Sequence, residues 1–279
     1  SIERKVSLNN NFAHLEYKDT KINLIDTPGY AAFVSHARPA LRVADCALVI
    51  VDGVHGIEVQ TEKTWQYANE FMLPRFMVIN KIDKEHADFG HALETATSSF
   101  ARSIVPFTLP IGAEGDFKGV VDVVHQKAYS FDADGKAKEI PLPETGRDIF
   151  ERTRERLIEI VAESDDALME EYFENGTLPE EKIYPNLAKA IASSKLCPVY
   201  AVSATTLVGV SILLDHLVEF APNPATHESE MGFKDNEMTG DRINRKYSND
   251  EPFSAYVFRT IADPFAGRIN VMKVVSGKI

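Results

Sequence analysis

The 279-residue sequence has two cysteines, one tryptophan and a deficit of basic charge, 30 Lys and Arg against 42 Asp and Glu. It also lacks long apolar runs. The longest, such as Cys46–Val51, fall far short of the ~20 residues a membrane helix needs, so no membrane role is expected. Two cysteines cannot staple a small secreted fold. Cys46 and Cys197 both sit in strand-like apolar runs, which predicts buried, inert thiols in a reducing compartment. No charged leader followed by an apolar segment opens the chain, so no secretory signal is expected and the location read from the sequence is cytoplasmic. The net charge of −12 argues against a DNA-binding protein that grips long stretches of phosphate backbone by charge alone. It leaves room for local basic contacts, or for acidic surfaces that face a basic partner. A 44% hydrophobic content excludes disorder and, with the length, suits one large or two medium domains.

The apolar pattern is that of an α/β protein. Phe12–Tyr17 and Lys21–Ile25 are β-rich and separated by Lys18-Asp19-Thr20, a hairpin pattern. Cys46–Val51 and Phe76–Ile79 are continuous apolar runs, as expected of parallel strands covered on both faces. Helical spacing follows each: Thr61, Trp65, Ala68 and Met72, then Phe89, Leu93, Ala96 and Phe100. Pro198–Val202 precedes a last helix carrying Val210, Leu213, Leu214 and Leu217. The interval from Asp83 to Ser203 far exceeds the ~10–12 residues of a crossover, so a domain-sized insert is predicted. Its first part, Phe107–Tyr129, is strand-like. Its second, Arg147–Ser194, is helical with Phe150, Thr153, Leu157, Ile160 and Val161 on one face. Residues 223–250 have the polar composition of a linker, and 251–279 read as strand, turn, strand.

Three short motifs each follow a predicted strand, and in open α/β sheets ligands bind at the carboxyl ends of strands. Asp26-Thr27-Pro28-Gly29 offers a carboxylate able to hold Mg²⁺ through water and a glycine whose backbone N–H could approach a phosphate. Alone it also reads as an ordinary turn. Asn80-Lys81-Ile82-Asp83 offers a carboxylate that can accept both the N1–H and the 2-amino group of guanine. Adenine has no such pair of donors, and each charge-assisted bond is worth ~1.5–3 kcal/mol. Asn80 could tie loops together and reach the base, and the stem of Lys81 could cover the base plane. Asp83 equally suits a helix N-cap. Ser203-Ala204 could present a backbone N–H to the guanine O6, though the dipeptide by itself carries no information.

In this order, each on a strand end, the motifs resemble those of the translational GTPases, elongation factor G most closely. Residues 109–128, LPIGAEGDFKGVVDVVHQKA, resemble the opening of that family's inserted G′ subdomain, and 253–277 resemble the first strands of its β-barrel domain II. The insert separates the chain from shorter relatives such as the tRNA-delivering factor. The resemblance implies a P-loop GTPase-type, mainly parallel sheet with an α+β insert and the start of a β-barrel. Its expected divisions are 1–103 (G domain, first part), 104–196 (G′-like insert), 197–222 (last strand and helix of the G domain), 223–250 (linker) and 251–279 (start of domain II). It implies GTP or GDP and Mg²⁺ as ligands, with Asp26, Thr27, Pro28, Gly29, Tyr30, Asn80, Lys81, Ile82, Asp83, Ser203 and Ala204 around the nucleotide. Ser7, within a stretch that resembles the end of the first switch, would ligate Mg²⁺ beside Asp26. The implied partner is the ribosome, with its stalk proteins meeting the acidic stretch Glu163–Glu181, which also reads as a solvated helix face. A monomer is expected.

Two departures stand out. The phosphate-cradling pattern G-x-x-x-x-G-K-[ST] is absent from the sequence: Gly135-Lys136 is followed by Ala137, and Gly277-Lys278 by Ile279. The resemblance implies that this loop and the first strand precede Ser1 in a longer protein, and that this chain alone binds nucleotide weakly or not at all and is inactive. Second, Tyr30 stands where the family has the His of D-T-P-G-H that places the attacking water, which makes it the candidate catalytic residue and suggests a paralogue. A phenol, which ionises near ~10, is a poor base at neutral pH. Positioning a water needs no base, since Gln serves in other GTPases. The expected function is GTP hydrolysis coupled to translocation or a related ribosomal step. The alternatives are a ribosome-binding GTP switch with little hydrolysis, or a ribosomal-protection or release-type factor. His36 reads as a helix-face residue, Pro39 as a breaker or first residue of that helix, and His86 and His91 lack metal-ligand spacing.

Overall fold

The computed structural model describes residues 7–100, 103–234 and 240–278. Two compact units divide them, one drawn from 1–12, 25–45 and 222–279, the other from 13–24 and 46–221. The chain opens with β1 (Asn11–Tyr17) and β2 (Thr20–Asp26), which form a two-stranded sheet. The turn between them has positive φ at both Lys18 and Asp19, the backbone that matches strand twist in a two-residue hairpin. A 3₁₀ turn, Val34–His36, leads into α1 (Ala37–Val43). Pro39 is the third residue of α1 rather than its first. It does not break the helix because a first-turn N–H has no intrahelical acceptor to lose.

The larger unit is built on β3 (Ala47–Asp52), β4 (Arg75–Asn80), β5 (Ser103–Pro106) and β10 (Leu196–Ala201), in the spatial order β3-β4-β10-β5 and parallel throughout. Alternate residues of the central pair enter separate cores. Phe76, Val78 and Tyr200 join a cluster with Leu157, Leu187, Leu213 and Phe220. Met77, Ile79, Val199 and Ala201 join one with Trp65, Phe89, Ala92 and Ala96. Both faces are therefore covered, and the strands read as unbroken apolar runs. The expectation of two covered faces fails for β3, where Leu48 and Ile50 are 40% and 54% exposed. As the outer strand of the described sheet, β3 buries Ala47 and Val51 and leaves the opposite face open.

Helices α2 (Val59–Glu70) and α3 (Phe89–Ser99) supply the second core. Trp65 and Ala68 are buried as their spacing predicts, but Met72 lies past the end of α2 and is exposed. The insert begins with an antiparallel meander, β6 (Thr108–Ile111), β7 (Gly119–Asp122), β8 (Lys127–Phe131) and β9 (Ala137–Ile140). Three helices follow, α4 (Arg147–Ala162), α5 (Asp166–Asn175) and α6 (Glu180–Ala192), before β10 and α7 (Val210–Phe220). Strand β5 crosses the expected 103/104 division and lies wholly in the parallel sheet. Phe107 joins the two sheets: its N–H donates to Val199 O at 2.8 Å and its C=O accepts from Val123 N at 2.9 Å. On α7 the buried face is Ile212, Leu213, His216 and Phe220, whereas Val210, Leu214 and Leu217 are half-buried. A histidine is not counted in an apolar period, so the true face is shifted from the expected one.

Residues 223–250, expected as a linker, carry an antiparallel pair, β11 (Ser229–Phe233) and β12 (Arg242–Lys246). Composition hides the strands because Met231, Phe233 and Ile243 are their only large apolar residues, and the first two are exposed. Beyond them, β13 (Ser254–Asp263) and β14 (Gly267–Ser276) form the expected hairpin. Its turn is held by Asp263 Oδ1, which accepts from Phe265 N and Ala266 N at 2.8 and 2.7 Å. Cys197 is buried and Cys46 only half-buried, and neither is in a disulfide.

The hairpin tip is tethered within its unit: Tyr17 Oη donates to Asp215 Oδ1 at 2.6 Å, and Lys18 pairs with the same oxygen at 2.7 Å. Burial, then the hydrogen bond to Asp215 and its charge, push the Tyr17 phenol up to about 12. A pKa raised on folding contributes stability below the unfolded value, near ~10, that disappears as pH rises through the folded one. Tyr17→Phe should therefore cost about 1 kcal/mol at neutral pH. In denaturant unfolding, the gap between parent and Tyr17→Phe should close between pH ~10 and ~12; a gap that stays constant to the top of that window would refute the tether.

Candidate nucleotide site

The carboxyl edge of the parallel sheet gathers half of the predicted residues. Asp52 and Asn80 end β3 and β4 directly opposite one another, and Ser203 follows β10. Asn80 Oδ1 accepts the Ala204 N–H at 2.9 Å across 124 residues of sequence, so the side chain ties two loops together as its position suggested. Asn80 O accepts from Gly53 N at 2.8 Å, and a Cβ on Gly53 would lie 2.9 Å from that same oxygen and from Ile82 Cδ1. The glycine lets the loop after β3 close on the loop after β4. Ile82 is the buried anchor of the N-K-I-D turn, and Lys81 takes a left-handed φ of 66°.

Asp83 is held deep, with its side chain 10% exposed. Burial pushes its carboxyl up, but the Ser203 hydroxyl and the Lys84 ammonium outweigh that and keep it below the usual carboxylate range. It is ionised at neutral pH. Its Oδ1 is buried and accepts no hydrogen bond among the described residues. Such an atom costs ~1–3 kcal/mol unless something donates to it. The N-cap alternative does not apply to Asp83, because α3 is capped by Asp88, whose Oδ1 accepts from His91 N at 2.9 Å. Ser203 is fully buried, with its Oγ accepting from Thr206 N at 3.1 Å and its N–H donating to Val208 O at 3.0 Å.

Sequence reasoning missed Asp52. Lys81 Nζ lies 2.6 Å from its Oδ2, while Oδ1 accepts from Val54 N at 2.9 Å. Burial raises this carboxyl, and Lys81, the Val54 N–H and His55 bring it below its ordinary value. The signal was available: Asp52 ends an apolar strand as Asn80 does.

The other predicted residues belong to the smaller compact unit, the one that contains 1–12 and 25–45, and are described by themselves. Ser7 Oγ donates to Asp26 Oδ2 at 3.1 Å, and Asn11 Nδ2 donates to the same oxygen at 3.2 Å. Two hard oxygen donors expected around Mg²⁺ are thus in contact, a donor set that suits the ion. Pro28 is buried, Thr27 half-buried and Gly29 exposed. Tyr30 is 64% exposed, and its C=O accepts from Phe33 N at 2.8 Å. His36 stands at the N-cap of α1 with its C=O accepting from Asn10 Nδ2.

The sequence pattern of the elongation factor Tu GTP binding domain matches residues 1–223. The chain belongs to that GTP-binding family. The chain is also 35% identical, over 275 residues and 99% of its length, to a Thermotoga maritima protein described as elongation factor G-like. It spans 39% of that relative. A solved structure from Thermus thermophilus superposes with a TM-score of 0.84 at 30% identity, covering 99% of this chain and 38% of the other. The domain is therefore of the translational elongation-factor type, a mixed α/β P-loop GTPase-like fold followed by a further β region. No helix among the described residues is long and apolar enough to cross a membrane.

The loop tie is directly measurable. Replacing Asn80 by Ala leaves the Ala204 N–H to water and should cost about 1 kcal/mol. Amide exchange at Ala204 should speed up in the variant; an unchanged rate would mean that the bond does not hold the loops.

Proposed function

We propose that the chain is the nucleotide-reading part of an elongation-factor-G-like protein that couples GTP binding and hydrolysis to translocation or a related ribosomal step. The observation that carries this reading is the half-buried, ionised Asp83, whose buried Oδ1 is an acceptor that nothing in the described chain satisfies. Guanine supplies the N1–H and 2-amino donors that such a carboxylate requires, and adenine cannot. Asn80 and Ala204 hold the flanking loops in register for the base, Lys81 is fixed by Asp52 beside it, and Ser203 steadies Asp83. Gly29 has no atom within 4 Å of where a Cβ would stand. Its missing side chain thus relieves no crowding within the described chain, which suits close approach of a phosphate to the backbone. Ser7 and Asp26 would hold Mg²⁺, which neutralises charge on the phosphates when bound. The exposed acidic stretch from Glu163 to Glu181 supports an encounter with basic stalk proteins of the ribosome; seven of its eight carboxylates are exposed.

A second reading rests on Tyr30. An exposed phenol at the water-positioning place supports a ribosome-binding switch that hydrolyses GTP slowly. Both readings need the guanine site, so two measurements are required on a protein of the relatives' full length that carries this chain. Asp83→Asn should lower GTP affinity by ~100-fold or more, the loss of two charge-assisted bonds at ~1.5–3 kcal/mol each, and should leave ATP binding weak. Equal affinity for GTP and ATP in the parent, or a variant that keeps its guanine preference, would overturn the proposal. For hydrolysis, ribosome-stimulated turnover should change less than ~10-fold in Tyr30→His if Tyr30 already positions water. A much larger gain would select the slow switch.

A further inference from the structure

Away from the nucleotide residues, three side chains from two distant parts of the larger unit aim at one point. Asp122 ends β7, His125 lies in the turn that follows, and His216 projects from α7. Asp122 Oδ1 is already occupied by the N–H groups of Val124 and His125, at 2.9 and 3.0 Å. Its Oδ2 stands 2.8 Å from His125 Nδ1 and 3.2 Å from His216 Nε2, and the two imidazole nitrogens are 3.3 Å apart. We propose that Asp122, His125 and His216 form a binding site for a divalent transition-metal ion of the zinc type.

The triangle has nearly the size that an ion requires. Ligand atoms at about 2.0–2.2 Å from a tetrahedral ion stand about 3.3–3.6 Å from one another, so the shortest side opens by a few tenths of an ångström. Two imidazoles and one carboxylate favour a borderline ion over Mg²⁺ or Ca²⁺, which prefer all-oxygen sets. The outer shell is also present. Glu219 lies 3.2 Å from the far nitrogen of His125, the carboxylate–imidazole arrangement that orients a ligating histidine. Asp122 and His216 have side chains 3% and 1% exposed, and the rings of Phe107, Tyr200 and Phe220 wall His216 at 5.5–5.8 Å. Among the described residues His216 Nδ1 is buried without a partner, so this imidazole recovers the cost of burial through Nε2 alone. His125, 28% exposed, provides the route in, and water completes the shell. An ion here would fasten the meander of the insert to α7.

The test is calorimetric titration of the metal-stripped chain with Zn²⁺ near pH 7, with Mg²⁺ in excess to occupy oxygen sites. One ion should bind per chain with Kd of ~1 μM or tighter, and the melting temperature should rise with Zn²⁺ concentration. His125→Gln and His216→Gln should each weaken binding at least ~100-fold, and Glu219→Gln by ~10-fold, while His91→Gln, at an exposed position, changes nothing. His125 is only half-buried, so its variant keeps the fold and decides the matter even if His216→Gln does not fold. Absence of a one-to-one complex, or binding equal to the parent's in His125→Gln, would overturn the site and leave a hydrogen-bonded tie without an ion.

Discussion

The parallel ladder between β4 and β10 joins Met77, Val78 and Ile79 to Val199, Tyr200 and Ala201, and every feature of the carboxyl edge depends on it. The paired segments are more than a hundred residues apart in sequence, so the ladder carries a large loop-closure cost that only extensive burial can offset. That burial is present. All six residues are 3% exposed or less, three on each strand, and they feed two separate cores. With the ladder in place, Asn80 and Ala204 are neighbours with no further adjustment, and Asp83 and Ser203 meet beside them.

The insert is compatible with this ladder because of how it leaves and returns. Phe107 passes the chain from the parallel sheet into the meander with both of its backbone groups bonded, and Thr108 Oγ1 accepts the Ala201 N–H at 2.9 Å. Buried backbone groups at such a junction would otherwise be orphaned, at a cost comparable to a lost hydrogen bond. The insert is thus stitched to β10 itself rather than hung from a flexible linker. The Asp122, His125 and His216 cluster is a second stitch, from the meander to α7.

Much of this was legible in advance. Strands buried on both faces announce themselves as apolar runs, and β4 and β10 were placed to within two residues. The motif at the end of β4 was legible because Asn80, Lys81 and Asp83 interrupt the run abruptly, whereas Ser203-Ala204 after β10 carries no signal by itself. What escaped notice has a common cause. Leu48 and Ile50 look like core residues, but exposure depends on where β3 stands in the sheet, which composition does not encode. The strands in 223–250 escaped because polar side chains on a wet ladder give no hydrophobic alternation. His216 escaped because its partners, Asp122 and His125, are some ninety residues away and meet it only through the fold.

The residues expected around the nucleotide divide between the two units in a way that follows their chemistry. Asp83, Asn80 and Ser203 sit at the ends of strands packed on both sides, and reading a base demands groups that hold one position in every nucleotide state. Asp26, Gly29 and Tyr30 sit on an exposed segment that runs through a 3₁₀ turn into a helix of only seven residues. Short helices with few buried contacts are drawn from the low-stability end of a structure. Under the proposed function that softness is useful, because a group that responds to the terminal phosphate must exist in two arrangements separated by little free energy. The local physics of the two segments therefore favours a fixed reader of the base and a yielding sensor of the phosphate, whichever side chain stands at position 30.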